Sequence, residues 1–167
     1  MKKLAPILGI ILFLAVISVI IISLAKKDST ITVVKNNKEF KPLPIKLNKT
    51  NDTECAMLIK TQKNAAEAIA PDGTTWFFDD PGCLVKWLEK KKWKDNAKLW
   101  VHTVDTNRWI DAKKAKYRID YHSAMHYGFG AVEKEHNNTI DFNEMRLRML
   151  RNETLANPKY RKKILGY

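Results

Sequence analysis

Cysteine is scarce in this chain: Cys55 and Cys83 are the only two among 167 residues, and there are four histidines. Each shortage closes a class of function. The two cysteines do not form a C-x-x-C pair, which argues against a thioredoxin-type redox centre. No four Cys or His residues lie at the close spacing a structural zinc site needs. No cysteine falls in or just after the apolar N-terminal run, so no residue is placed to carry a lipid anchor. No internal repeat is present. The formal net charge is +12, yet no basic cluster is laid on an aromatic platform, and the composition does not point to nucleic acid as a partner.

The chain does have one long hydrophobic run. Met1-Lys2-Lys3 is followed by Leu4 through Leu24 without a charge, closed by Lys26-Lys27. A helix of that length rises about 30 Å, enough to span a bilayer, and exceeds the about 7–15 apolar residues of a signal peptide. Residues 1–27 are therefore expected to form a transmembrane anchor, with Ser23-Leu24-Ala25 as the alternative cleavage site of a removed signal. The flanking lysines specify orientation weakly. The expected placement is a single pass through the inner (cytoplasmic) membrane with the C-terminal domain outside it. The excess positive charge suits either proximity to anionic headgroups or a simple solubilising surface.

Residues 28–53, rich in Lys and Asn with Pro42 and Pro44, lack periodicity and read as a linker, with a short strand possible around Ile31–Val34. Folded structure is expected over 54–135. A first strand is placed at about Cys55–Lys60. A loop containing Pro71-Asp72-Gly73 leads to a second strand at Thr75–Phe78. Asp80 and Pro81 supply an N-cap and first helical residue for an amphipathic helix ending near Lys91, with Cys83 beside its apolar stripe. Strands follow at Leu99–Val104, Lys116–Tyr121 and Gly128–Val132, and Trp109–Ala112 is expected to open a short helical turn. The order β-β-α-β-β-β describes a small α+β domain. Residues 136–167 form a basic helical tail begun by the D-x-x-E cap Asp141–Glu144, with Met145 and Met149 as packing residues. The tail can dock on the domain, on lipid or on a partner.

Soft donors concentrate in two places. In an extended segment Cys55 and Met57 share one face, an arrangement that serves either a half-buried strand or a soft metal ion, Cu(I) first. His122, Met125 and His126 gather in a loop before Gly128. His102 is read as structural and His136 as exposed. Helix capping accounts for Asp80, and no acid–base role is assigned to the Asp79-Asp80 pair.

Four motifs occur in order: Cys55-x-Met57, Trp76-Phe77-Phe78-Asp79-Asp80-x-Gly82-Cys83, Trp109-Ile110-Asp111-Ala112 and Ala124-Met125-x-Tyr127-Gly128-Phe129-Gly130-Ala131. Together they resemble the NosL family, copper-binding accessory proteins of nitrous oxide reductase. The resemblance covers about Glu54–Val132. It implies that the outside is the periplasm, and that the chain is a membrane-tethered Cu(I) metallochaperone working there with nitrous oxide reductase and its ABC-type maturation transporter. Fold, by the same resemblance, is a NosL-like β-β-α-β domain similar to part of organomercurial lyase. The family's C-x-M pair maps onto Cys55 and Met57, and its later methionine onto Met125. The later motif here has lost its usual Pro and Gly, which places His126 beside Met125. The expected metal ligands are thus Cys55, Met57, Met125 and His126, with Cu(I) bound and no catalysis. The alternatives are a metal-independent membrane-anchored assembly protein and a thiol-dependent enzyme.

Overall fold

An Asp-Pro pair at the end of one strand sets the layout of the folded unit. In the computed structural model, which describes residues 4–25 and 30–166, strand β3 (Thr75–Phe78) runs into Asp79-Asp80 and then helix α2 (Pro81–Glu89). Asp80 caps α2 by accepting from the Gly82 N–H, and Pro81 occupies the first turn, where its missing N–H leaves nothing unpaired. The helix buries Cys83, Leu84, Val85, Trp87 and Leu88 against the sheet.

That sheet is antiparallel, in the order β1-β3-β2-β4-β5: β1 (Val33–Val34), β2 (Ala66–Ile69), β3, β4 (Lys98–His102) and β5 (Trp109–Asp111). A second antiparallel sheet is ordered β7-β6-β8, from β6 (Lys116–Arg118), β7 (Gly130–Val132) and β8 (Thr139–Ile140). Helix α3 (Phe142–Leu150) packs on α2 and β6 through Phe142, Met145 and Met149. Asp141 caps it by accepting from the Glu144 N–H at 2.8 Å, and Glu89 of α2 is held between Lys94 and Arg146. Helix α4 (Pro158–Leu165) buries none of its residues. The α+β class and the strands after α2 agree with the sequence reading, although Trp109–Asp111 is a strand, with its turn following it.

Three expectations are corrected. Cys55–Lys60 is not a strand: it contributes a single bridge, Asn51 to Leu58, because Ala56 sits in the left-handed region at φ +63° and breaks the extended run. The strand that pairs along the whole of β3 is β2, inside what read as a loop; Ala-Glu-Ala-Ile lacks the β-branched density of a strand but is wholly buried. Residues 30–53 do not form a free linker. Thr32 carbonyl accepts from Thr53, β1 pairs with β3, and Asn37, Ile45, Thr50 and Asp52 are buried. A small core of Ile45, Ile59, Ala65 and Phe77 lies beneath this strap. The sequence hid it because asparagines and prolines interrupt its apolar spacing. In the same way, β8 and α3 make part of the 136–167 tail integral to the domain.

Helix α1 (Leu4–Ala25) lies before the strap. Ile10, Leu12, Phe13, Val19 and Ile21 are exposed around it. Among the described residues no helix is long and apolar enough to cross a membrane. The lysines expected to flank the anchor, Lys2, Lys3, Lys26 and Lys27, lie outside the described residues.

Candidate metal centre

Asp52 builds the site. Its Oδ1 accepts from the N–H groups of Glu54 (2.7 Å) and Cys55 (2.8 Å), and its Oδ2 accepts from the Asp79 N–H at 2.9 Å. One buried carboxylate thus shapes the 52–57 turn and pins it to the end of β3. The turn closes with the Asp52 N–H donating to the Met57 carbonyl and the Ala56 N–H donating to the Asp52 carbonyl. Within it, the left-handed Ala56 turns Cys55 and Met57 away from a common face. Cys55 packs against the main core, whereas Met57 is 43% exposed. Replacing Ala56 tests this directly. Ala56→Gly should be neutral within about 0.5 kcal/mol, since relief of left-handed strain offsets the entropy of glycine. Ala56→Val should cost about 2 kcal/mol in urea denaturation. Equal stability of the valine variant would show the turn to be unstrained.

Cys83 enters from the first turn of α2, and Asp79 from the strand end. The ligand atoms of Asp52, Cys55, Asp79 and Cys83 all lie within 4.8 Å of one another. Both cysteines are free thiols. Burial pushes the Cys55 thiol up to about 11 and the neighbouring Asp52 adds to it; burial also raises Cys83, far more strongly. The Asp79 carboxyl rises to about 8, first because it is buried and then because Asp52 and Asp80 stand beside it. Its Oδ1 is buried and has no hydrogen-bond partner. An unpaired buried carboxylate oxygen costs about 1–3 kcal/mol, and a cation among these four donors would remove that cost. Sulfur and carboxylate ligands bonded to one ion at about 2.0–2.3 Å stand at most about 4.6 Å apart. The cluster therefore needs only small movements to close on a single ion.

Asp80 faces elsewhere. Fully buried, it caps Gly82 through Oδ1 at 2.7 Å and accepts from the Met125 N–H through Oδ2 at 3.3 Å. Burial raises it to about 6, against the opposing hydrogen bonds from Ser123, Gly82 and Met125. It thereby holds the 122–127 loop to the start of α2. Asp80→Ala should cost about 1–2 kcal/mol of stability, measured by thermal unfolding. A cost below about 0.5 kcal/mol would remove it as the link between helix and loop.

The four expected ligands lie in different linings. Cys55 joins the cluster. Met125 is half-buried and, like Cys55, packs on the main core. Met57 and His126 line an open cavity of about 640 Å³, together with Asp79, His122 and Ser123. The His122 and His126 rings lie 4.6 Å apart, edge to face. Asp52, Asp79 and Cys83 were not among the expected ligands. Their signal was available in the acid–thiol pairs Asp52-x-x-Cys55 and Asp79-x-x-x-Cys83, the second of which bridges one turn across a helix start. His102 is buried on β4 and His136 is exposed, as read.

In comparison with known proteins, no family model, no curated protein and no solved structure matches this chain.

Proposed function

We propose that this protein is a membrane-anchored Cu(I) carrier that holds its cargo at the Cys55–Cys83 thiol pair, with Asp79 as a further donor. The observation that carries the reading is the convergence of two thiols and two carboxylates within 4.8 Å around an oxygen with no partner. Two sulfurs favour a soft monovalent ion. Asp52 already accepts three N–H bonds and serves mainly to hold the turn. The ordered motifs support a NosL-like role: a single-pass inner-membrane protein whose domain faces the periplasm and supplies copper to nitrous oxide reductase with its ABC-type maturation transporter. The uncharged run in α1, apolar on every side, supports the anchor. Met125, which like Cys55 packs on the main core, and Met57 and His126 at the cavity are further donors for an ion in transit. This is binding and transfer, without catalysis.

Titration of the reduced full chain with Cu(I) against a chromophoric chelator tests it. One equivalent should bind, and Cys55→Ala should weaken binding at least 100-fold. Unchanged competition by that variant ends the assignment. The two carboxylates favour a second reading, a four-coordinate Zn²⁺-class ion. Tighter retention of Zn²⁺ than of Cu(I) would select it.

A further inference from the structure

We infer that the cavity beside the cluster is an outer metal station, at which Met57, His122 and His126 receive Cu(I) before it passes to Cys55 and Cys83. The inference rests on reading the buried cluster as the Cu(I) site. Its basis is the way one short turn serves two compartments. Cys55 lies in the donor cluster, and Met57, two residues on, lines the cavity; the left-handed Ala56 between them produces the divergence. Asp79 belongs to both linings. An ion moving from one to the other passes a carboxylate and does not cross the apolar core.

The two imidazoles are placed for a shared ion. Their rings are 4.6 Å apart and both residues are exposed. His126 keeps a left-handed backbone, φ +55°, a conformation that costs free energy and persists where its surroundings over-determine it. Here the surroundings are plain: the His126 N–H donates to the Ser123 carbonyl at 3.0 Å, the Tyr127 N–H to Ser123 Oγ at 3.1 Å, and the Met125 N–H to Asp80. Neutral imidazole and thioether are good Cu(I) ligands yet weaker than thiolate, the order of strength that an inward relay needs. Lys60 and Lys63 also line the cavity, and their ammonium groups suit an ion that arrives with anionic ligands from its donor. In the transfer, Cu–N and Cu–S(Met) bonds break as Cu–S(Cys) bonds form. The thiol protons leave to water, and copper stays Cu(I).

Anaerobic stopped-flow transfer of Cu(I) from its bicinchoninate complex to the reduced full chain in mild detergent tests the station. For His122→Ala/His126→Ala the equilibrium affinity should stay within threefold of the parent protein, while the acquisition rate falls at least tenfold. Met57→Leu should slow it severalfold. The pair His122→Gln/His126→Gln should repeat the result and controls for loop damage. An acquisition rate within twofold of the parent overturns the outer station. An equilibrium loss above 30-fold overturns it too, because the histidines would then be ligands of the buried site. Unchanged equilibrium binding in Cys55→Ala is a separate result, and it overturns the buried site itself.

Discussion

Cu(I) affinity should climb by about three powers of ten per pH unit between pH 6 and 7.5, and by about two per unit from pH 8.5 to 10. A ligand must be deprotonated to bind, so each proton displaced contributes a factor of ten per unit. Below pH 8 three donors hold protons: Cys55, raised to about 11 by burial; Cys83, raised further by burial; and Asp79, raised to about 8 by burial and by Asp52. Above pH 8 Asp79 is already ionised and only the thiol protons remain to be displaced. Competition titrations at a series of pH values, corrected for the chelator's own protonation, give the slope. Asp79→Asn should show a slope of two across the whole range. A slope of one or less in the parent protein would mean that only one of these groups meets the ion.

The stability of the domain should fall as pH rises from 5 to 8, and Glu67→Gln should abolish the part of that fall due to the central strand. Glu67 is wholly buried on β2, its Oε2 accepting from the Leu43 N–H at 3.0 Å and its Oε1 without a partner. Burial raises its carboxyl from 4.5 to about 8, against the Leu43 hydrogen bond. The folded chain therefore keeps a proton that the unfolded chain releases above about pH 4.5. Its contribution is complete below pH 4.5 and is lost as pH rises through about 8, where the curve levels. At about 1.4 kcal/mol per unit the loss amounts to about 3–5 kcal/mol. Asp79 and Asp80 add to the same trend, so the informative quantity is the difference between Glu67→Gln and the parent. The variant should match the parent within about 1 kcal/mol at pH 5 and exceed it by about 3–5 kcal/mol at pH 9 in denaturant unfolding. Parallel curves would place the proton elsewhere.

Local chemistry was the legible part of this sequence. Asp80-Pro81 announced the start of α2, Asp141-x-x-Glu144 that of α3, and the aromatic run Thr75–Phe78 a strand, because caps and strand propensity act over a few residues. What escaped depends on distant partners. Ala66–Ile69 is central only because β3 and β4 flank it, and no pattern of its own requires a strand. The 52–57 turn follows from the three N–H groups that Asp52 gathers, one of them contributed by Asp79, 27 residues further on. With that turn mistaken for a strand, Cys55 and Met57 were read onto one face, and Cys83, paired by folding alone, remained a neighbour of an apolar stripe. Cys55 was singled out from sequence; Asp52, Asp79 and Cys83 join it only in the fold.

The packing of the strap also sets a length scale. Helix α1 ends at Ala25, and Ile31 is already bridged to Thr50. A chain of six residues reaches at most about 21 Å, less than the width of a domain whose radius of gyration is about 14 Å. Were α1 held in a bilayer as proposed, the folded domain would stay within about that distance of the lipid and would meet membrane-bound partners at high effective concentration.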